Sequence, residues 1–266
     1  MEELGTATAA PTFSYAALQA ELSLQGSSAQ ADQPSTSTDA GLHLQDFFAH
    51  LCTHGFARLR LGADEVRCLV EMYGQAREFF GLPEYFKDSV CPYRPSLEIG
   101  YSHVRHLAKE FFAVRLTADG QSIETNGAEL IPDEYQTLAV ESFKLMDGLA
   151  KDCLKYIATG LKVDPAKLTS LAEDFPLADR SAHSVSFLHV FKYSSTEAGH
   201  VAMPCPPHTD SGLVTVIPCA QAPGLEILVQ SHTFVCRVVG RVVGRQCRVV
   251  SCRVVSCRVV SCRVVA

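Results

Sequence analysis

The sequence predicts an α+β fold, with helices concentrated before residue 180 and strands after it. Apolar residues recur at helical spacing in the first part, for example across residues 44–51. Aromatic and β-branched residues instead dominate 184–193 and 208–217, as they do in strands. A run of helices followed by a run of strands is typical of α+β folds.

The first helix predicted from this spacing covers residues 44–51, and Gly55 ends it. Residues 56–61 then alternate as a strand. Asp64 is the expected N-cap of the next helix, which stops near Gly81. The preceding residues 25–41 are rich in Gln, Ser and Thr and have no apolar periodicity, so we expect a flexible loop there.

A long helix is predicted from Pro132 to about Ile157, since proline is favoured at a helix start and Gly160 supplies a stop. Its apolar residues form one stripe, which needs burial against a large surface. Asp164 and Pro165 are expected to start a further short helix.

Residues 184–193 form the next predicted strand. Alternation places Phe187, His189, Phe191 and Tyr193 on one face of it. We expect His189 to be a core histidine whose ring nitrogens are hydrogen-bonded.

The stretch from Pro204 to Leu228 carries the candidate chemistry. It is predicted to form two strands, 208–217 and 224–230, joined by a turn at Pro223-Gly224. His208 and Asp210 would then project from one face, because side chains two apart in a strand do so. With one further histidine they would form the 2-His-1-carboxylate triad that binds non-haem Fe(II). From these three residues alone, a histidine and an aspartate in a surface turn is the more common interpretation of H-x-D.

The run H-T-D-S-G-L-V-T followed by P-G-L-E-I-L resembles the iron-binding segment of the 2-oxoglutarate/Fe(II)-dependent dioxygenases, in their isopenicillin N synthase-like branch. The order of elements over residues 44–88 resembles the N-terminal region of the same family, and residues 11–22 resemble its opening strand and helix. The resemblance covers residues 11–230 and implies a double-stranded β-helix, or jelly roll, behind an N-terminal helical region.

The resemblance also implies a function. His208 and Asp210 would be two of the three iron ligands, and Tyr193 would contact 2-oxoglutarate. The chain would then be an oxidoreductase that uses Fe(II) and 2-oxoglutarate to hydroxylate or desaturate a small organic substrate. Phe191 stands where the family commonly has Asn, which removes one polar contact to the cosubstrate. A family oxidase that uses no 2-oxoglutarate is an alternative within the same fold.

The resemblance ends where a tandem repeat of C-R-V-V-S begins, at residues 236–266. A period of five residues matches neither helix nor strand, so we expect a low-complexity tail after a helical region at 1–180 and a partial jelly roll at 181–235. After Asp210 the chain has one histidine, His232, which is too close to have crossed a barrel, and it has no R-x-S motif to pair with 2-oxoglutarate. We therefore expect an incomplete barrel, and an inactive remnant or a corrupted gene end is the alternative to an enzyme.

Composition limits the partners and the compartment. The 266 residues are 47% hydrophobic and 20% charged, and no apolar run approaches the ~18 residues that a membrane helix needs. The acidic N-terminus has no signal-peptide core, so we expect a cytoplasmic protein. The net charge is −6, and the tail contributes +7 through seven arginines without an acid, so the rest of the chain carries −13. This charge excludes nucleic acid as the partner of the main body.

Overall fold

The computed structural model describes residues 11–27, 40–194, 205, 208, 210, 212–218, 250–251 and 260–263. The N-terminal part contains two short strands and four helices: β1 (Thr12–Ser14), α1 (Tyr15–Ser27), α2 (Ala40–His54), β2 (Phe56–Arg60), α3 (Ala63–Gly81) and α4 (Glu84–Val90). The predicted helix at 44–51 and the strand at 56–61 are confirmed. Of the residues expected to form a loop at 25–41, residues 25–27 belong to α1 and residues 40–41 to α2, while residues 28–39 lie outside the described ranges.

The start of α3 differs from the prediction. Gly62 is the N-cap, and Asp64 lies in the first helical turn, where it forms an exposed ion pair of 3.3 Å with Arg67. An acid in this turn still interacts favourably with the free N–H groups of the helix start, which is why the residue type suggested a cap.

The remaining elements begin with a meander and end with short strands: β3 (Gly100–Val104), β4 (Lys109–Leu116), β5 (Ile123–Glu124), α5 (Asp133–Gly160), α6 (Pro165–Thr169), β6 (Leu188–Tyr193), β7 (Thr215–Val216), β8 (Val250–Ser251) and β9 (Val260–Arg263). The long helix is confirmed, with Pro132 as its N-cap. The short helix is confirmed too, since the Asp164 carboxylate accepts a hydrogen bond of 2.9 Å from the Ala166 N–H.

The strands form two sheets, with the orders β1-β2-β8-β7 and β3-β4-β6-β9, and β5 extends the second sheet beside β4. The pairs β1–β2 and β6–β9 are parallel and the others are antiparallel. Neither sheet closes on itself within the described ranges. The fold is therefore mixed α/β, with open sheets beside a layer of helices.

Three strand predictions need correction. The strand predicted at 184–193 begins only at Leu188. The strand predicted at 208–217 is reduced to Thr215–Val216, because the chain bends at residues 212–213. The tail was expected to contain no regular element, but it holds β8 and β9. Each strand is shorter than one repeat unit, so the change of side-chain face from one repeat to the next does not prevent its formation. The strand predicted at 224–230 lies outside the described residues.

The sheet that contains β3, β4 and β6 has two different faces. We call one the helix-packed face: Tyr101, Glu110, Phe112, Val190 and Lys192 lie on it. Phe112 has no exposed surface, and its ring lies 4.7 Å from that of Phe79 in α3 and 5.7 Å from that of Tyr135 in α5. The hydrophobic core therefore lies between this face and the helices.

The opposite side, which we call the open face, carries the alternate residues Lys109, Phe111, His189, Phe191 and Tyr193. All five side chains are half-buried. The alternation predicted for 187–193 is thus confirmed for the residues within β6. None of the helices in the part of the chain described is both long and apolar enough to cross a membrane.

Candidate functional site

His208 and Asp210 lie together on the segment that leads into β7. The His208 Nε2 atom is 3.2 Å from the Asp210 Oδ1 atom. The other carboxylate oxygen, Oδ2, accepts a hydrogen bond of 2.8 Å from the Thr215 hydroxyl, on the first residue of β7. The two side chains meet as predicted, but the reason given from the sequence was wrong, since neither residue belongs to a strand.

The second ring nitrogen of His208 also has a neighbour. The Cys205 Sγ atom lies 3.8 Å from His208 Nδ1. This contact and the Thr215 hydrogen bond fix the orientation of the pair, so that one imidazole nitrogen and one carboxylate oxygen face each other. A nitrogen and an oxygen at this separation suit a borderline divalent cation such as Fe(II).

The donor set is limited to two side chains in the described residues. There, no three His, Cys, Asp or Glu side chains are placed to share one ion. His232, the one histidine that follows Asp210 in the sequence, lies outside the described ranges. The described residues therefore fit a metal through two ligands.

Tyr193 lies at the end of β6, on the open face. Its ring stacks on that of Phe191, with 6.1 Å between centroids and 18° between planes. In the antiparallel register, Tyr193 stands directly opposite Lys109 of β4, and Phe191 stands opposite Phe111. The Lys109 Nζ atom lies 5.5 Å from the Phe191 ring centroid. The pairing of Tyr193 with Lys109 was not predicted from the sequence, because the partner of a strand residue is not a local property.

His189 is enclosed by aromatic rings on the same face. Its ring lies 4.4 Å from Phe187, 5.4 Å from Phe191 and 5.7 Å from Phe111. The Nε2 atom is buried and has no hydrogen-bond partner among the described residues, so the expectation of a hydrogen-bonded core histidine was wrong. Burial, together with the nearby Arg115 and Lys109 cations, lowers the pKa of His189 to about 3, and the imidazole is therefore neutral near pH 7.

Arg115 is the second cation on this side of β4, and its guanidinium is hydrogen-bonded to backbone carbonyl oxygens. Its guanidinium donates to the carbonyl oxygen of Leu97 at 2.6 Å and to that of Ser184. It also lies 3.5 Å from a Glu98 carboxylate oxygen. These contacts hold the segment before β6 against β4, which is a structural role.

A cluster of charged side chains lies on the helix-packed face. Glu110 accepts hydrogen bonds from Lys87, from Lys192 at 2.8 Å and from the Tyr101 hydroxyl at 2.6 Å. Burial alone would raise the pKa of Glu110, but the hydrogen bonds from Lys192, Lys87 and Tyr101 outweigh it and lower the pKa to about 2. Because Lys87 also donates to the Phe80 carbonyl oxygen at 3.0 Å, the cluster fixes the end of α3 to β4 and β6.

Comparison with known proteins first defines the class of fold. A 2OG-Fe(II) oxygenase family protein of Caulobacter crescentus matches with a TM-score of 0.63, at 15% identity, over 92% of this chain and 74% of that one. A full-length protein of Neurospora crassa, solved in complex with alpha-KG and thymine, matches with a TM-score of 0.62, at 16% identity, over 95% and 75% of the two chains. Dioxygenase for auxin oxidation 1 of Arabidopsis thaliana, solved with 2-oxoglutarate, matches with a TM-score of 0.61, at 15% identity, over 91% and 79%. The fold is that of the 2-oxoglutarate oxygenases.

A sequence relative points to the same class of protein. Gibberellin 3-beta-dioxygenase 3 of Arabidopsis thaliana is 28% identical over 184 residues, which are 67% of this chain and 50% of the relative. No family model matches the sequence. The relative is a dioxygenase and the solved structures of like fold include 2-oxoglutarate oxygenases, so the resemblance noted in the sequence to the 2-oxoglutarate/Fe(II)-dependent dioxygenases is confirmed. The chain spans about half the length of the curated relative that it matches.

Proposed function

We propose that the chain is an Fe(II)- and 2-oxoglutarate-dependent oxidoreductase that hydroxylates or desaturates a small organic substrate, on a jelly-roll framework. The observation that carries the proposal is the contact of 3.2 Å between His208 Nε2 and Asp210 Oδ1, in a chain that resembles the 2-oxoglutarate/Fe(II)-dependent dioxygenases. Two proteins of the same fold support a small-molecule substrate, since their structures or names refer to thymine and to auxin oxidation.

His208 and Asp210 would hold the metal. When bound, Fe(II) supplies the activation of dioxygen that these side chains cannot perform. Asp210 contributes a carboxylate whose second oxygen is held by Thr215, so its first oxygen keeps its direction without the metal. Such pre-orientation lowers the entropy that would be lost on binding.

Tyr193 would position 2-oxoglutarate by hydrogen bonding through its phenol. Its ring is fixed by stacking on Phe191, and it lies on the open face, which no described helix covers. The half-buried aromatic side chains around it would exclude part of the water from the bound ligand, which strengthens polar contacts there.

An anaerobic titration with Fe(II) tests the proposal. We expect saturable one-to-one binding to the wild-type chain, and its loss in His208→Ala and Asp210→Asn. His106→Ala is the matched control, because His106 is an exposed histidine in a single turn between β3 and β4. Absence of saturable binding in the wild type would contradict the proposal and favour an inactive remnant.

Product analysis separates this activity from that of an oxidase that uses no 2-oxoglutarate. Incubation of the iron-loaded protein with 2-oxoglutarate in air should release succinate, even without the organic substrate. Oxygen uptake without succinate release would contradict the use of 2-oxoglutarate while leaving the metal site intact.

A further inference from the structure

Helix α2 carries two histidines one turn apart, His50 and His54, and neither belongs to the candidate site at His208 and Asp210. Side chains four positions apart lie on the same face of a helix. The two imidazole rings are 4.3 Å apart between centroids, with 42° between their planes. Among the described residues, neither ring forms an ion pair with a carboxylate. The pair therefore offers two nitrogen donors close to each other.

The Nε2 atom of His50 is buried and has no hydrogen-bond partner in the described part of the chain. The rings of Phe13 and Phe56 lie 5.8 Å and 5.7 Å from the imidazole, so two of its neighbours are apolar. A buried polar atom without a partner costs free energy, and a bound ion or water is a common explanation for one. Burial lowers the pKa of His50, and the charges of His54 and Arg58 lower it further. The imidazole is therefore neutral near pH 7, which is the form that ligates metals.

The separation of the two rings suits a shared metal ion. Zinc binds imidazole nitrogens at about 2.0–2.1 Å in a tetrahedral arrangement, which places two ligating rings about 4.5–5 Å apart between centroids. The separation of 4.3 Å is close to this, and the exposed His54 side chain can rotate to admit the ion. His54 is also the last residue of α2, where the negative end of the helix dipole favours a cation. This effect opposes the repulsion from the nearby Arg58 charge.

We propose that His50 and His54 bind one divalent transition-metal ion of the zinc, nickel or copper type. Two imidazoles without a carboxylate suit these ions, whereas Mg(II) and Ca(II) prefer oxygen ligands. Zn(II) also binds such ligands more tightly than Fe(II) does, so the pair differs from the proposed iron site in its preferred metal. In the described ranges no third His, Cys, Asp or Glu side chain is placed to join them, so water completes the coordination. The ion would link the last two turns of α2 and stabilise the helix end that leads into β2.

Chemical modification tests the site one histidine at a time, with Zn(II) as the probe. Diethyl pyrocarbonate reacts with accessible neutral imidazoles, and mass spectrometry of peptides locates the product. We expect Zn(II) to slow the modification of His54 in the wild type and to leave that of the exposed His106 unchanged. In His50→Phe, which keeps an aromatic ring in an apolar environment, protection of His54 should need about tenfold more Zn(II) or more, because one of two linked ligands is lost. His43→Ala is the matched control, since this exposed histidine of α2 lies about 16 Å from His54 along the helix axis, and it should need as much Zn(II) as the wild type.

Hydrogen exchange provides a second measurement that does not depend on the buried substitution. Zn(II) should slow amide exchange at residues 51–55 in the wild type but not in His54→Ala, which alters an exposed side chain. Unchanged reactivity of wild-type His54 in the presence of Zn(II), or equal protection in the wild type and in His50→Phe, would overturn the assignment. Equal slowing of exchange in the wild type and in His54→Ala would overturn it as well. Both measurements are local to α2, so they are independent of the Fe(II) titration that tests His208 and Asp210.

Discussion

Charged side chains have different surroundings on the two faces of the β3–β4–β6 sheet. On the helix-packed face, Glu110 lies between Lys87 and Lys192, and the Tyr101 hydroxyl completes its hydrogen bonds. On the open face, the neighbouring residue Lys109 has no described carboxylate within ion-pair distance. Consecutive residues of one strand therefore have different surroundings: Glu110 forms ion pairs with two lysines, and Lys109 lies over the Phe191 ring.

The same division applies to the aromatic residues. Phe112 is fully buried against α3 and α5, whereas Phe111 is half-buried beside Phe191 and His189. Alternation along β4 thus separates residues that stabilise the fold from residues that shape a surface. Variants of neighbouring residues can test this separation directly.

The largest effect is expected for the buried ring. Phe112→Ala should lower the free energy of unfolding by about 3–5 kcal/mol, because it leaves a cavity in the core. Phe111→Ala is the matched variant on the other face and should cost less than half as much. Urea denaturation measures both. Equal losses would mean that the open face is as well packed as the helix-packed one.

Next in size is the charged cluster. Glu110→Gln should lower the free energy of unfolding by about 3 kcal/mol, because it leaves Lys87 and Lys192 without a buried counter-charge. Glu129→Gln, at an exposed position, should change it by less than about 0.5 kcal/mol. A Glu110→Gln variant as stable as the wild type would show that the cluster is dispensable.

The Glu110 cluster also predicts that the free energy of unfolding falls at acidic pH. The pKa of Glu110 is lowered in the fold to about 2, from an ordinary value of 4.5. Its stabilising contribution is therefore complete above about pH 4.5 and is lost as the pH falls toward 2. Denaturation at a series of pH values should show this loss in the wild type and a smaller loss in Glu110→Gln. Parallel curves for the two proteins would argue against the lowered pKa.

The smallest effect is expected at His189. His189→Phe removes a buried ring nitrogen without a described partner, so near pH 7 it should leave the stability unchanged or raise it by about 1 kcal/mol. Because the pKa of His189 is lowered in the fold to about 3, the wild type should lose stability as the pH falls from 6.5 toward 3. His189→Phe should have a shallower slope than the wild type in this window. An unchanged slope in His189→Phe would mean that the imidazole is protonated in the folded protein.

Local patterns allowed the helices and the side-chain alternation to be predicted. The positions of Pro132 and Gly160 gave the bounds of α5, because the rules for helix ends depend on a few neighbouring residues. Alternation within β6 likewise gave the face of Tyr193. The resemblance to the dioxygenases followed from the motif around His208, and the comparisons confirm that resemblance, while the roles of Tyr193, His208 and Asp210 remain predictions.

Non-local features could not be predicted in this way. The pairing of Lys109 with Tyr193 joins residues far apart in sequence, and no local pattern specifies it. The bend at residues 212–213, which removes His208 from β7, depends on how the chain enters the sheet. In the described part of the chain the Nε2 atom of His189 has no hydrogen-bond partner, because aromatic rings from three different positions surround the imidazole. Each of these features is set by tertiary contacts, which override local preference.

Hydrogen exchange in helix α5 can serve as a reference for the global stability of the molecule. It has 28 residues, a length of about 42 Å, and it packs against α2, α3 and α6, with Phe143 and Met146 fully enclosed. Amide groups at its centre should exchange their hydrogens with solvent only when the whole molecule unfolds, whereas those of the two-residue strands β5 and β7 should exchange through local opening. Deuterium uptake along this helix would therefore report global stability from one segment, and uptake in β5 and β7 would report local opening separately.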